Sequence, residues 1–300
     1  RPATAGNTRA GAATRPGTAR PDLLQELGGE GPLLHLAHAN GFPPGTYRLF
    51  ARALAARYRV VALPARPLWP GSTPAEAPTW RTLAGDLLRG LEALASPGIV
   101  GVGHSMGGVC TLWAAIDRPD LFRAVVLIDP VILEPGLLRW LRLARAFGLD
   151  GRMPLIRATL RWRRTWPGDR ACFDHYRGKA LFARWTDEAL WDYVRAATRE
   201  EGEGLHLRYP PEWEAHIFGT VPVDIWPDVA RLAVPCLVVR GELSVTFVAG
   251  ALARVARLLP AARAVTVSGA THLLPMERPQ ETANAVLDFL TTEQFGGTME

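Results

Sequence analysis

Lysine is almost missing from this chain. Lys179 stands alone among 300 residues, and arginine carries nearly all of the positive charge behind the net +5. Those arginines are interleaved with carboxylates and accompany no nucleic-acid-binding motif, which argues against a nucleic-acid partner. Cysteine is also scarce: Cys110, Cys172 and Cys236 are far apart, odd in number and without metal-ligand spacing. They read as small core residues of a reducing compartment rather than as a disulfide frame or a metal site. No apolar run approaches the roughly 20 residues that a membrane span needs. The start of the chain has no signal-peptide-like apolar segment either, so a cytoplasmic location is expected. Its first 20 residues are Ala, Thr, Gly, Pro and Arg with a single Asn and no apolar period, a composition that cannot bury enough surface to order itself.

What remains is 48% hydrophobic and long enough for a sizeable core. Short apolar runs at Leu33–His38, Arg59–Leu63, Ile99–Gly103, Ala124–Ile128, Cys236–Val239 and Ala264–Val267 read as strands. Between them, Tyr47–Arg57, Trp80–Ala95, Phe247–Leu259 and Arg278–Leu290 read as helices. This alternation predicts an α/β fold with a mostly parallel sheet covered on both faces. Between Asp129 and Pro235 the rhythm stops. Helical periodicity takes over there, with Trp140, Trp162, Trp166, Trp185, Trp191, Trp213 and Trp226. The expected organisation is a flexible tail over 1–22, core over 23–133, an inserted helical cap over 134–225, core again over 226–292 and a tail over 293–300. An insertion at that point lies over the C-terminal edge of the sheet, where open α/β sheets bind ligands.

One pentapeptide carries chemistry. Gly103-His104-Ser105-Met106-Gly107 joins a strand to a helix, and a serine with glycines two residues to either side is the pattern of a nucleophile elbow. The turn is so tight that a side chain at 103 or 107 is expected to collide with it. A serine hydroxyl needs a base. Of the seven histidines, His272 is best placed, 167 residues downstream on a loop between the last strand and the closing helix. His104, adjacent to the serine, is expected to pack beneath the elbow. An oxyanion forming on the substrate needs two donors fixed in advance. The backbone N–H of Met106 is one candidate, and that of Phe42 in the Asn40-Gly41-Phe42-Pro43 loop is the other.

These segments, with Gly269-Ala270-Thr271-His272-Leu273-Leu274-Pro275, together resemble the α/β-hydrolase superfamily over about residues 31 to 290. The resemblance implies a Ser-His-acid triad, acyl-enzyme chemistry, and neither cofactor nor metal. Serine at the elbow separates the chain from branches that place aspartate there. Two departures stand out. Only Leu23–Leu27 is available as a strand ahead of the oxyanion loop, so the sheet is expected to be short at its first edge. The acid loop reads Gly241-Glu242-Leu243-Ser244-Val245, with serine or valine where a carboxylate is expected. Asp129, at the end of the strand after the elbow strand, and Glu242 are the substitutes, and a triad without an acid is the third possibility. The aromatic cap suits an uncharged, fairly apolar ester. The arginine run at Arg161, Arg163 and Arg164 reads as a solvated face. C–C bond hydrolysis, acyl transfer to an acceptor other than water, and ligand binding by a weakened hydrolase are the alternatives.

Overall fold

The structure, a computed structural model, describes residues 20–149 and 153–294. Most of the two expected tails lies outside the described residues. The ten strands are β1 (Gln25–Gly28), β2 (Leu33–Ala37), β3 (Arg59–Ala62), β4 (Ile99–His104), β5 (Phe122–Ile128), β6 (Thr165–Trp166), β7 (Thr198–Glu201), β8 (Gly204–Leu207), β9 (Cys236–Gly241) and β10 (Arg263–Val267). The helices are α1 (Arg48–Leu54), α2 (Trp80–Ala93), α3 (Met106–Asp117), α4 (Pro135–Ala146), α5 (Pro154–Thr159), α6 (Asp169–Arg177), α7 (Asp187–Ala197), α8 (Pro211–Gly219), α9 (Ile225–Val229), α10 (Ala249–Leu258), α11 (Leu274–Glu277) and α12 (Pro279–Gln294).

Seven strands form one sheet in the order β1-β3-β2-β4-β5-β9-β10. Every pairing is parallel except β1 with β3. A single four-residue strand therefore makes the first edge, in line with the shortness of the sequence there. Strands β2, β4 and β9 are buried at every position, which is why they read as continuous apolar runs rather than as alternating ones. Neighbouring residues still divide between two cores. Leu33, Val61, Ile99, Val125, Leu127 and Val238 pack with α2, α3 and α10. Leu34, Val60, Val100, Val102, Val126 and Leu237 pack with α1 and α12. Each aliphatic side chain buried in this way contributes about 1.5–3 kcal/mol. All three cysteines are buried and unpaired, and no helix among the described residues is long and apolar enough to cross a membrane.

Between β5 and β9 the chain leaves the sheet for α4 to α9. This segment also holds something the sequence analysis did not anticipate, a three-stranded antiparallel sheet in the order β6-β8-β7. Its ends are joined: the Trp226 indole donates to the Leu133 carbonyl at 2.9 Å. Its flank is tied to the start of α2 and the loop before it: Trp80 Nε1 donates to Ile217 O at 3.0 Å and His216 Nε2 to Ala77 O at 2.8 Å. Trp166, Trp185, Trp213 and Trp226 are buried, whereas Trp140 and Phe147 face solvent. In α4 it is Leu138, Leu141 and Ala144 that point inward, and Trp140 lies on the opposite side of the helix.

Candidate active site

Sheet order brings the chemistry-bearing residues together. Strands β4 and β5 are parallel neighbours with His104 opposite Ile128, so Ser105 and Asp129 follow their ends side by side. Ser105 N donates to Ile128 O at 3.0 Å, and Asp129 N to Val239 O at 2.7 Å. Asp129 thus lies between the elbow and the end of β9.

Ser105 has φ 57° and ψ −118°, a conformation that L-residues avoid. The elbow is held there by close backbone approaches. A Cβ on Gly103 would lie 2.4 Å from Gly107 O, and one on Gly107 would lie 2.1 Å from Ala37 O. These are the collisions expected from the motif. They also set the start of α3 directly against the end of β2, where the Asn40–Phe42 loop begins.

His272, reached 167 residues after the serine, has its Nε2 2.9 Å from Ser105 Oγ. Its Nδ1 is 2.7 Å from Asp129 Oδ1. A carboxylate only accepts, so Nδ1 carries the proton and Nε2 presents its lone pair to the hydroxyl. Asp129 is fully buried, with φ 40°. Besides the imidazole it accepts from Ser244 Oγ at 2.6 Å and from Gly241 N–H at 2.9 Å. Glu242 points elsewhere, accepting from Ser268 Oγ and Gly269 N–H. That backbone hydrogen bond, with the one from Ser268, lowers its pKa. Val245 is 87% exposed and takes no part. Ser244 is buried at the carboxylate's side, and its Oγ also accepts from Thr246 and Phe247 N–H at 3.2 Å. The sequence analysis missed Ser244; it noted only that no carboxylate was present.

The two proposed oxyanion donors differ in their present engagement. Met106 is the first residue of α3, where an N–H has no intrahelical acceptor. The Phe42 N–H closes a turn to Ala39 O at 3.3 Å, long for such a bond. Gly41 holds that turn at φ 77°. The Phe42 ring packs on Trp185 and Tyr193, with centroids 6.0 and 5.6 Å away.

Buried histidines support the loops. His104 lies beneath the elbow as expected and bridges two segments. Its Nε2 faces His272 O at 2.8 Å and so carries a proton, while Nδ1 faces Tyr47 Oη at 2.7 Å. Burial pulls its pKa well below the ordinary value, with the neighbouring His272 adding to the effect. The ring is therefore neutral, Tyr47 donates to Nδ1, and the Tyr47 hydroxyl in turn accepts from Ala39 N–H at 2.9 Å. One unbroken path of hydrogen bonds thus links the candidate oxyanion loop to the backbone of His272. His38 and His35 accept from Ala65 and Leu63 N–H; burial lowers them to about 4 and about 3. No group of metal-ligating side chains occurs among the described residues.

Known proteins can be set beside this geometry. A 2-(acetamidomethylene)succinate hydrolase of Mesorhizobium japonicum is 27% identical over 266 residues, covering 87% of this chain and 89% of that protein. The polyketide synthase ThaQ of Burkholderia thailandensis is 27% identical over 288 residues, which is 92% of this chain but 12% of the synthase. Among solved structures, an E-2-(acetamidomethylene)succinate hydrolase superposes with a TM-score of 0.74 at 24% identity, covering 89% of this chain and 94% of that one. The thioesterase domain from the curacin biosynthetic pathway gives 0.67 at 19% identity, covering 88% and 94%. These structures share the fold. The profile of the alpha/beta hydrolase family matches residues 36–285, and with five-sixths of its length inside that match, the chain belongs to the alpha/beta hydrolase family.

Proposed function

We propose that the protein is a serine hydrolase that cleaves a fairly apolar carboxylic ester through an acyl-enzyme. The observation that carries this reading is the pair of hydrogen bonds from Ser105 Oγ through the His272 ring to Asp129, at 2.9 and 2.7 Å. In this mechanism Ser105 attacks the carbonyl carbon while His272 Nε2 takes the hydroxyl proton. Asp129 holds the Nδ1–H tautomer and balances the imidazolium. Met106 and Phe42 N–H groups receive the negative oxygen; Phe42 exchanges its long turn contact for the stronger charged acceptor. The imidazolium then protonates the leaving alcohol, whose C–O bond breaks. Water, deprotonated by His272, releases the acid and regenerates the serine. A thioester offers the same carbonyl to the same groups. The names of the similar proteins, hydrolase and thioesterase among them, agree with acyl chemistry. The insertion, in this reading, is the cap that walls the acyl group with Phe42, Trp185 and Tyr193.

The test is covalent. Phenylmethylsulfonyl fluoride should add one sulfonyl group at Ser105, seen by peptide mass, and should stop hydrolysis of p-nitrophenyl butyrate. A Ser105→Ala protein that keeps full activity on that ester would falsify the proposal.

A further inference from the structure

Glu214, on the buried helix α8, is 5% exposed. Its backbone carbonyl accepts from Asn40 Nδ2 at 3.1 Å. Its carboxyl group has no hydrogen-bond or ion-pair partner among the described residues. Both oxygens lie over Gly41: a Cβ built there would be 2.5 Å from Oε1 and 3.1 Å from Oε2. Gly41 directly precedes Phe42, so this carboxyl group sits beside the proposed oxyanion donor. Burial raises the pKa of Tyr176, Tyr193 and Tyr209, and the charge of an ionised Glu214 raises each further. Tyr209 is already committed, donating to Asn40 Oδ1 at 2.9 Å. No cation among the described residues offsets the carboxyl group; burial pushes it up to about 8.

An unpaired carboxyl group enclosed in apolar surroundings is a net cost to folding, and chains seldom retain one without a partner. The described residues supply none, and the group adjoins the loop that carries the proposed oxyanion donor Phe42. We propose that Glu214, with the aromatic faces of Tyr193 and Phe42, forms a subsite for a cationic nitrogen carried by the substrate. In the free protein burial keeps this group protonated up to about pH 8; an ammonium beside it draws the proton off, and the carboxylate then gives that ammonium a charge-assisted contact while electron-rich ring faces attract the same charge. An anionic substituent has no such ion pair to gain. The inference rests on the ester-hydrolase reading but departs from the uncharged ester expected from the sequence: the acyl chain is apolar in bulk but ends in an amine or quaternary ammonium.

The experiment uses three p-nitrophenyl esters. The first is of γ-(trimethylammonio)butyric acid, the second of the acid with tert-butyl in place of trimethylammonium, and the third is the anionic mono-adipate. The expected kcat/KM of the cationic ester exceeds that of its neutral isostere about tenfold or more, with the adipate lowest. In Glu214→Gln the cationic-to-neutral ratio falls to about one, and Glu214→Asp restores part of it. Calorimetry of both isosteres with Ser105→Ala reads the same preference as binding, without turnover. Equal binding of the two isosteres, or a ratio unaltered in Glu214→Gln, overturns the subsite. Loss of turnover on every ester with the binding preference intact overturns the hydrolase reading instead.

Discussion

Ser244 Oγ donates to Asp129 Oδ1 at 2.6 Å, so the loop expected to carry the acid supports a carboxylate supplied by another strand. Because β5 is flanked by β4 and β9, a residue just past its end reaches both the elbow and that loop. The proposed acid thus comes from a different part of the chain than the expected loop and lies 2.7 Å from His272 Nδ1.

Substitution should show this directly. Asp129→Asn leaves the ring without a carboxylate at Nδ1, and kcat on a p-nitrophenyl ester is expected to drop by about 10³–10⁴. Val245→Asp, at a position turned to solvent, should give no gain. Ser244→Ala should cost far less than Asp129→Asn, about tenfold, because two donors to the carboxylate remain. A large gain in Val245→Asp with an indifferent Asp129→Asn would reverse the assignment.

Tyr47 occupies the middle of the path from Ala39 to His272. Tyr47→Phe leaves the Ala39 N–H and the His104 Nδ1 buried without partners, and the unfolding free energy should fall by about 1–3 kcal/mol. Urea denaturation measures it. An unchanged midpoint would show that water or a neighbour takes over both groups.

Stability should depend on pH from two sides. Glu214 is raised to about 8 in the folded chain, against about 4.3 unfolded. Its contribution is therefore fully present below the unfolded value and is lost as pH climbs through about 8. His35 and His38 are depressed to about 3 and about 4. Their contribution is complete above the unfolded value of about 6.5 and is lost as pH falls through the folded values. Melting temperature should accordingly peak in between. Glu214→Gln should remove the loss that accrues between about pH 4.3 and about pH 8, worth a few kcal/mol, while leaving the fall below about pH 4 as it was. Thermal melts from about pH 4 to about pH 9 make the comparison.

Gly107→Ala should fail to give a native elbow, since its methyl would stand 2.1 Å from the Ala37 carbonyl oxygen, a backbone atom with no freedom to retreat. Soluble yield and near-UV circular dichroism read the outcome. A folded, active Gly107→Ala protein would mean that the end of β2 can give way.

Much of this molecule could be read from its residues. The core strands announced themselves because strands buried on both faces leave unbroken apolar runs, and the elbow did so because its geometry admits almost no other residues at 103 and 107. His272 was legible from chain order together with the serine. Asp129 was legible only as one of three possibilities, since its reach depends on which strands are neighbours, and sequence does not state strand order. The small antiparallel sheet escaped notice because β7 reads Thr-Arg-Glu-Glu and is exposed beyond its first residue, so it lacks any apolar alternation. Glu214 escaped for the opposite reason. A glutamate between Trp213 and Ala215 reads as the wet side of an amphipathic helix, whereas α8 is enclosed around most of its circumference.

The two left-handed backbones at Ser105 and Asp129 have a bearing on how this protein could be improved. At Ser105 about 1–3 kcal/mol is held back that a glycine would release, whereas at Asp129 a glycine would strand the donors Ser244 Oγ, Gly241 N–H and His272 Nδ1. A laboratory selection that rewards heat resistance and nothing else would therefore be drawn to position 105 and, on the proposed mechanism, would harvest sturdier proteins that no longer react.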